Sequence, residues 1–444
     1  MSESSTGYSE NLRQIEHLLP IAFAFLLPYI SWGQAVALAL CALVYGVFIS
    51  PRLVRITRRP DEEIRRFSPG KAAYALSVLG LLVIFRGDMY IVGAVWANLS
   101  VGDAASNLIG RNFGRNKLPW NGQKTWLGTA GALLLSALAA AILMRWIGLP
   151  ASTHDPTATI WLYAITLSLV CSLVETLLLP IDDNFTICLA GGAFMGFITQ
   201  ATWPPHWDWM TIGIGFLISS AAALPARMLK TVSNGGALWG ILMGSVVFLA
   251  FGIRGFILLG TFFVLGSLFS KIGYARKELA GIAQVNRGMR SGRHVWGKGI
   301  AAFLAAVAAL FLADHGMIIL AFVAALATSL CDTTATELGQ LYGTRTVLLN
   351  NLAPVPRGTA GAVSIEGSLL GLLAAICIAA GGYFSRFVSL WGMLWVVMAA
   401  VLATHLEGYL VATHRQSRVS GPLMNGFHTT LAMLLATLLA RIRL

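Results

Sequence analysis

Apolar stretches long enough to cross a bilayer, or to form broken helices inside one, follow one another from 17–32 to 422–440 with little between them. No soluble core absorbs so much apolar sequence. With 57% hydrophobic and only 11% charged residues, the chain is expected to be an all-α polytopic integral membrane protein. The stretches number about fifteen when those too short for a full span are included. The first sixteen residues are polar and carry no small-residue cleavage site, so no removable signal peptide is expected. Cys41, Cys171, Cys188, Cys331 and Cys377 all lie in apolar segments without ligand spacing, which gives neither a disulfide framework nor a zinc site.

A formal charge of +12 would suit a nucleic-acid partner in a soluble protein. Here the basic residues sit in short loops between apolar segments, where anionic lipid headgroups or phosphate substrates fit better, and no nucleic acid is expected. If the amino terminus is cytoplasmic, only Arg86, Arg145, Arg254, Arg386, Arg441 and Arg443 of the 31 basic residues fall outside. That asymmetry obeys the positive-inside rule. The expected location is therefore a membrane, read as a bacterial inner membrane, with its active loops facing the cytoplasm.

One pattern occurs twice. Asp103, Gly110 and Gly114 have the spacing of Asp332, Gly339 and Gly343, and Gly128 to Ala132 matches Gly358 to Ala362 after one extra loop residue. Small residues are abundant in membrane helices, so composition alone is the competing explanation. Taken as a duplication, the pattern divides the chain into 1–200 and 205–444, two parallel halves rather than the inverted repeats common in transporters. Within each copy the Asp and both Gly share one helical face, and each carboxylate lies roughly 10 Å from its first Gly along the axis. A charged Asp in a membrane costs at least about 2.5 kcal/mol and persists where it meets a polar cavity, a cation or a partner. A structural ion pair is the plain alternative for either one.

Carboxylates followed by glycines and a basic cytoplasmic loop suit Mg²⁺ and a nucleoside triphosphate, because Mg²⁺ takes one or two carboxylates plus phosphate oxygens. Lys and Arg can spread the charge of a transferring phosphoryl group. No G-x-x-x-x-G-K-[ST] loop is present, so this is not P-loop chemistry. Asp103, Lys124, Asp332 and Glu337 are the expected catalytic residues. Asp103, Asp182, Asp183 and Asp332 are the expected metal ligands, although Asp182 and Asp183 also read as a turn and helix cap. Nucleotide and phosphate contacts are expected from Gly110, Arg111, Gly114, Arg115, Lys117, Gly128 and Thr129 in the first copy. In the second they are expected from Gly339, Gly343, Arg357, Gly358 and Thr359, with Lys271, Lys277 and Arg290 of the basic loop 271–298. That loop reads equally as an ordinary positive-inside anchor.

The run from Gly102 to Lys117, G-D-A-A-S-N-L-I-G-R-N-F-G-R-N-K, with K-T-W-L-G-T from Lys124 and E-T-L-L-L-P-I-D-D-N from Glu175, resembles the phytol kinase and dolichol kinase family, itself similar to phosphatidate cytidylyltransferases. In the second half, C-D-T-T-A-T-E-L-G from Cys331 and V-P-R-G-T-A-G-A-V-S-I-E-G from Val355 resemble the phytyl-phosphate kinase family of membrane proteins. His294 and Lys298 depart from that family, standing where Gln and Asn are expected. The resemblances imply a bifunctional lipid kinase that converts an isoprenoid alcohol of the phytol or geranylgeraniol class to its monophosphate and then its diphosphate. They imply CTP or another nucleoside triphosphate as donor and Mg²⁺ as cofactor. A CDP-lipid synthase and a non-enzymatic membrane transporter are the alternatives.

Overall fold

The computed structural model describes residues 10–49, 69–151, 153, 155–177, 182–202, 208–284, 288–413 and 421–442. The basic loop 52–68 and Ile181 lie outside them. The protein is an all-α integral membrane protein, and its chain divides into two compact units, Met1–Gln200 and Ala201–Leu444.

In the first unit, α1 (Glu10–Leu18) and a 3-10 turn lead to α2 (Trp32–Val44) and α3 (Pro69–Ile84). Next, α4 (Met89–Ala97) passes through a π-helical turn at Asn98–Gly102 directly into α5 (Asp103–Phe113). A hairpin of β1 (Lys117–Leu118) and β2 (Asn121–Thr125) then turns the chain into α6 (Trp126–Ile147), followed by α7 (Pro156–Glu175) and α8 (Asp183–Ile198). A helix that is apolar all round belongs in the middle of a bundle. Accordingly Val92, Ala94, Val95, Ala97 and Leu99 are fully buried, and the core gathers around α4.

The second unit repeats that plan on longer helices. It begins with α9 (Trp209–Met228), α10 (Asn234–Lys271), the short α11 (Tyr274–Leu279) and α12 (Gly292–Phe311). Its central rod is α13 (His315–Tyr342), followed by β3 (Thr346–Leu348), β4 (Ala362–Ser364), α14 (Ile365–Phe384), α15 (Leu390–Thr413) and α16 (Gly421–Ile442). The run Phe322 to Leu330 is fully buried.

Among the described residues ten helices are long and apolar enough to cross a membrane, with Gly70–Ile84 and Asp183–Ile198 shorter, against the fifteen stretches of the sequence. Besides those two shorter helices, two further stretches have a physical cause. The stretches 235–252 and 255–270 run on as the 38-residue α10, broken only at Gly252, whose φ of 62° is open to glycine at little cost. The stretch 17–32 becomes the 3-10 turn Leu19–Leu26 rather than an α-helix.

Candidate functional site

The duplicated glycines hold helices together. A Cβ on Gly110 would lie 3.6 Å from Gly128 Cα, and one on Gly128 would lie 2.7 Å from the Ser106 carbonyl, so α5 and α6 touch backbone to backbone. In the second unit a Cβ on Gly339 would lie 3.2 Å from Gly367 Cα, and one on Gly367 would lie 2.8 Å from the Ala335 carbonyl. This is small-residue packing of the kind membrane helices use. It takes up the glycines that the sequence pattern assigns to phosphate.

The geometry also corrects the alignment of the two copies. Thr125 caps α6 by accepting from Gly128 N at 3.1 Å, and Ser364 caps α14 by accepting from Gly367 N at 3.1 Å. The counterpart of Gly128 is therefore Gly367, not Gly358. Lys117 pairs with Thr125 as Thr346 pairs with Ser364, which fixes the register of both hairpins. Gly358, at φ 82°, and Gly361, at φ 76°, instead turn the chain within the longer second hairpin. Thr129 and Thr359 hydroxyls donate to the backbone carbonyls of Thr125 and Pro356. Arg357 donates to the Leu341 carbonyl at 3.3 Å.

In the first unit Asp103 Oδ1 accepts from Asn107 Nδ2 at 2.8 Å, and Oδ2 lies 3.5 Å from His17 Nε2. Lys124 Nζ pairs with Glu175 Oε1 at 2.5 Å and approaches Ser106 Oγ at 3.5 Å. Burial would lower the Lys124 pKa, but Glu175, Asp103 and Asp183 outweigh it and hold the ammonium above its ordinary value. Arg111, Arg115 and Lys117 are exposed on the hairpin side of α5. Asp182 is spent as the cap of α8, accepting from Asn184 N at 3.1 Å. Among the described residues, Asp103, Asp182 and Asp183 do not converge within reach of one ion.

A cavity of about 520 Å³ opens beside this cluster. Leu27, Leu38, Val78 and Leu82 line its length, and Glu16, His17 and Lys71 stand at its polar end. Such a volume suits a small ligand with an apolar body and one polar end. His17 is a residue the sequence reading misses, because a lone histidine near the start of the chain belongs to no motif. Contact with Asp103 is what gives it a place.

In the second unit Asp332 pairs with Lys298, and Glu407 Oε2 lies 3.0 Å from His428 Nδ1. Asp332 and Glu337, both expected from the sequence to be catalytic, do not act as a pair. Five residues apart on a helix, the two carboxylates point about 140° away from each other. Glu337, 2% exposed, is instead held by Lys277 and Gln284. Lys277 is thus a buried ion-pair partner rather than a phosphate ligand, and Lys271 lies exposed at the end of α10.

A cavity of about 250 Å³ faces Asp332, Thr336, Ser364, Glu407 and the turn Gly358 to Gly361. A second, largely apolar cavity of about 120 Å³ runs between α9, α10 and α12. Arg290 and Lys298 stand in its wall. Arg290 is 7% exposed, with its guanidinium 5.4 and 5.6 Å from the Phe262 and Phe263 rings. Among the described residues that guanidinium has neither a hydrogen-bond acceptor nor an ion-pair partner. Burial lowers its pKa to about 10, with Glu337 opposing, so it remains a cation at neutral pH. A buried unpaired cation is costly and calls for an anion.

Residues 217–426 match the model of an integral membrane protein family, DUF92. The chain is 38% identical over 225 residues to an uncharacterized membrane protein of Synechocystis, covering 50% of this chain and 86% of that protein. It is 35% identical over 157 residues to protein VTE6 of Arabidopsis thaliana chloroplasts, covering 34% of this chain and 47% of that one. It is 30% identical over 178 residues to the chloroplastic farnesol kinase of the same plant, covering 40% of this chain and 55% of the kinase. The chain thus spans about half the length of these two plant relatives. No solved structure matches it.

Proposed function

Starting from the chain's membership of the DUF92 integral membrane protein family, we propose that it is a bifunctional isoprenoid lipid kinase with one site in each unit. The observation that carries this reading is the contrast between the two apolar cavities. The first is bordered by His17, whose Nε2 lies 3.5 Å from Asp103 Oδ2, and the described residues that line it present no unpaired buried cation; it suits the tail of a neutral alcohol whose hydroxyl gives up its proton there. The second meets Arg290 and Lys298, which suit a tail that ends in phosphate. The farnesol kinase likeness supports the first step. The donor is a nucleoside triphosphate, CTP in our reading, reaching both sites from the cytoplasmic face of an inner membrane.

Asp103 and Asp332 are the carboxylates that would hold nucleotide-borne Mg²⁺, which needs few protein ligands when phosphate oxygens complete its shell. When bound, the ion would spread the charge of the transferring phosphoryl group. Lys124, tied to Glu175, acts on the donor only if a phosphate displaces that carboxylate, so it is a conditional grip. The test uses purified full-length protein, CTP carrying a γ-phosphate label, and a panel of phytol, farnesol and geranylgeraniol. Labelled monophosphate followed by diphosphate, with CDP released, is expected. Asp103→Asn should remove alcohol phosphorylation and spare the monophosphate reaction, and Asp332→Asn should do the reverse. Release of pyrophosphate would favour cytidylyl transfer, and loss of both activities in either folded variant would end the two-site reading.

A further inference from the structure

We propose that the second unit holds a resident divalent transition-metal ion on Asp332, Glu407 and His428, bound by the protein without nucleotide. The three side chains come from α13, α15 and α16, and one donor atom from each lies within 4.8 Å of the others. An ion with bonds of about 2.1–2.3 Å reaches donors up to roughly 4.5 Å apart, so small side-chain rotations close the set.

The electrostatics ask for such an ion. Asp332 and Glu407 bring two negative charges into helices that cross the membrane, and the one lysine paired with either of them among the described residues is Lys298, on Asp332. An unbalanced carboxylate there is expensive. His428 is fully buried, and its Nδ1 stands 3.0 Å from Glu407 Oε2 and 3.1 Å from the Met424 carbonyl. A neutral imidazole has one N–H to share between those acceptors. Its Nε2 has no hydrogen-bond partner among the described residues. A buried imidazole with one nitrogen unpartnered and the other against a carboxylate, grouped with a second carboxylate, is the donor set of a metal centre.

Two oxygens and an imidazole nitrogen favour a first-row ion of the Mn²⁺ or Zn²⁺ kind over Mg²⁺, which prefers an all-oxygen shell. The open positions would face the cavity of about 250 Å³ that Asp332 and Glu407 line. The centre stands on these contacts alone and does not depend on the kinase reading.

Mn²⁺ is the probe. Purified full-length protein, stripped with chelator and kept free of nucleotide, should bind one equivalent, with pulsed electron paramagnetic resonance showing coupling to an imidazole ¹⁴N. His17→Gln should keep that coupling, because His17 borders the other unit's Asp103. His428→Gln should abolish it, and Glu407→Gln should weaken binding at least about tenfold. If His428→Gln does not fold, the parent and His17→Gln still decide. Failure to bind Mn²⁺ without nucleotide, binding without nitrogen coupling, or coupling lost in His17→Gln would each overturn the proposal. Isoprenoid phosphorylation is measured separately, so its failure would leave the metal result intact.

Discussion

Half-buried Lys124 and buried Lys277 each stand beside a glutamate, yet the two pairs have different prospects. Lys124, in β2 outside the spans, is held above its ordinary pKa by Glu175, Asp103 and Asp183 against its burial. A lysine whose folded pKa is raised contributes stability that is fully present below its unfolded value and is lost only as pH climbs through the folded one. The difference in melting temperature between the parent and Lys124→Met should therefore not shrink from about pH 7 to about pH 10. A difference that shrinks within that window would contradict the pairing. Lys277 and Glu337 are 1% and 2% exposed and face neither charged cavity. Glu337→Gln should thus cost about 3 kcal/mol or more by stranding a buried ammonium, whereas Lys277→Leu with Glu337→Leu should recover most of that loss. Thermal unfolding of the three proteins in detergent checks this, and equal losses in the single and double variants would refute it. Asp103, Asp332 and Lys124 were legible because a repeat or a motif flagged them. His17 and His428 were not, since a single residue outside any motif has no spacing to betray which neighbouring helix it meets.

At the scale of elements, hydropathy located nearly every helix, because a bilayer leaves the backbone few other ways to satisfy itself. It could not locate the hairpins, whose strands run to five residues at most and carry no alternation. That gap explains the misplaced Gly358. The string R-G-T-A-G-A looks like a helix start, but Ser364 provides the cap and the string stays in the turn. The helix contact itself makes a sharp prediction. Gly367→Val would push side-chain atoms into the Ala335 carbonyl and Gly339 Cα, and should destabilise the second unit by about 1–3 kcal/mol. Gly122→Val, where a Cβ meets nothing within 4 Å, should be close to neutral. Comparable losses at both positions, read by denaturant or thermal unfolding, would remove the argument for close packing.

For the whole molecule, the membrane class was written into the sequence, while the cavities were not, because a cavity is a property of how helices lean together. Orientation still rests on the distribution of basic residues. Single cysteines at Asn116 and Thr344, in a background free of the native cysteines, should both react with a membrane-impermeant thiol reagent only after the cytoplasmic face is opened. Labelling of one from each side would defeat the parallel reading. The two hairpins carry a consequence of a different kind. From Gly114 to Thr125 is 11 positions and from Gly343 to Ser364 is 21, so the second hairpin is ten residues longer between equivalent anchors. The glycine seam beneath them is the same in both units, and the extra length is taken up without shifting it. Each hairpin is in effect a cassette plugged into a fixed socket, so its loop can diverge, or be exchanged, in one unit while the carboxylate below stays where its helix put it.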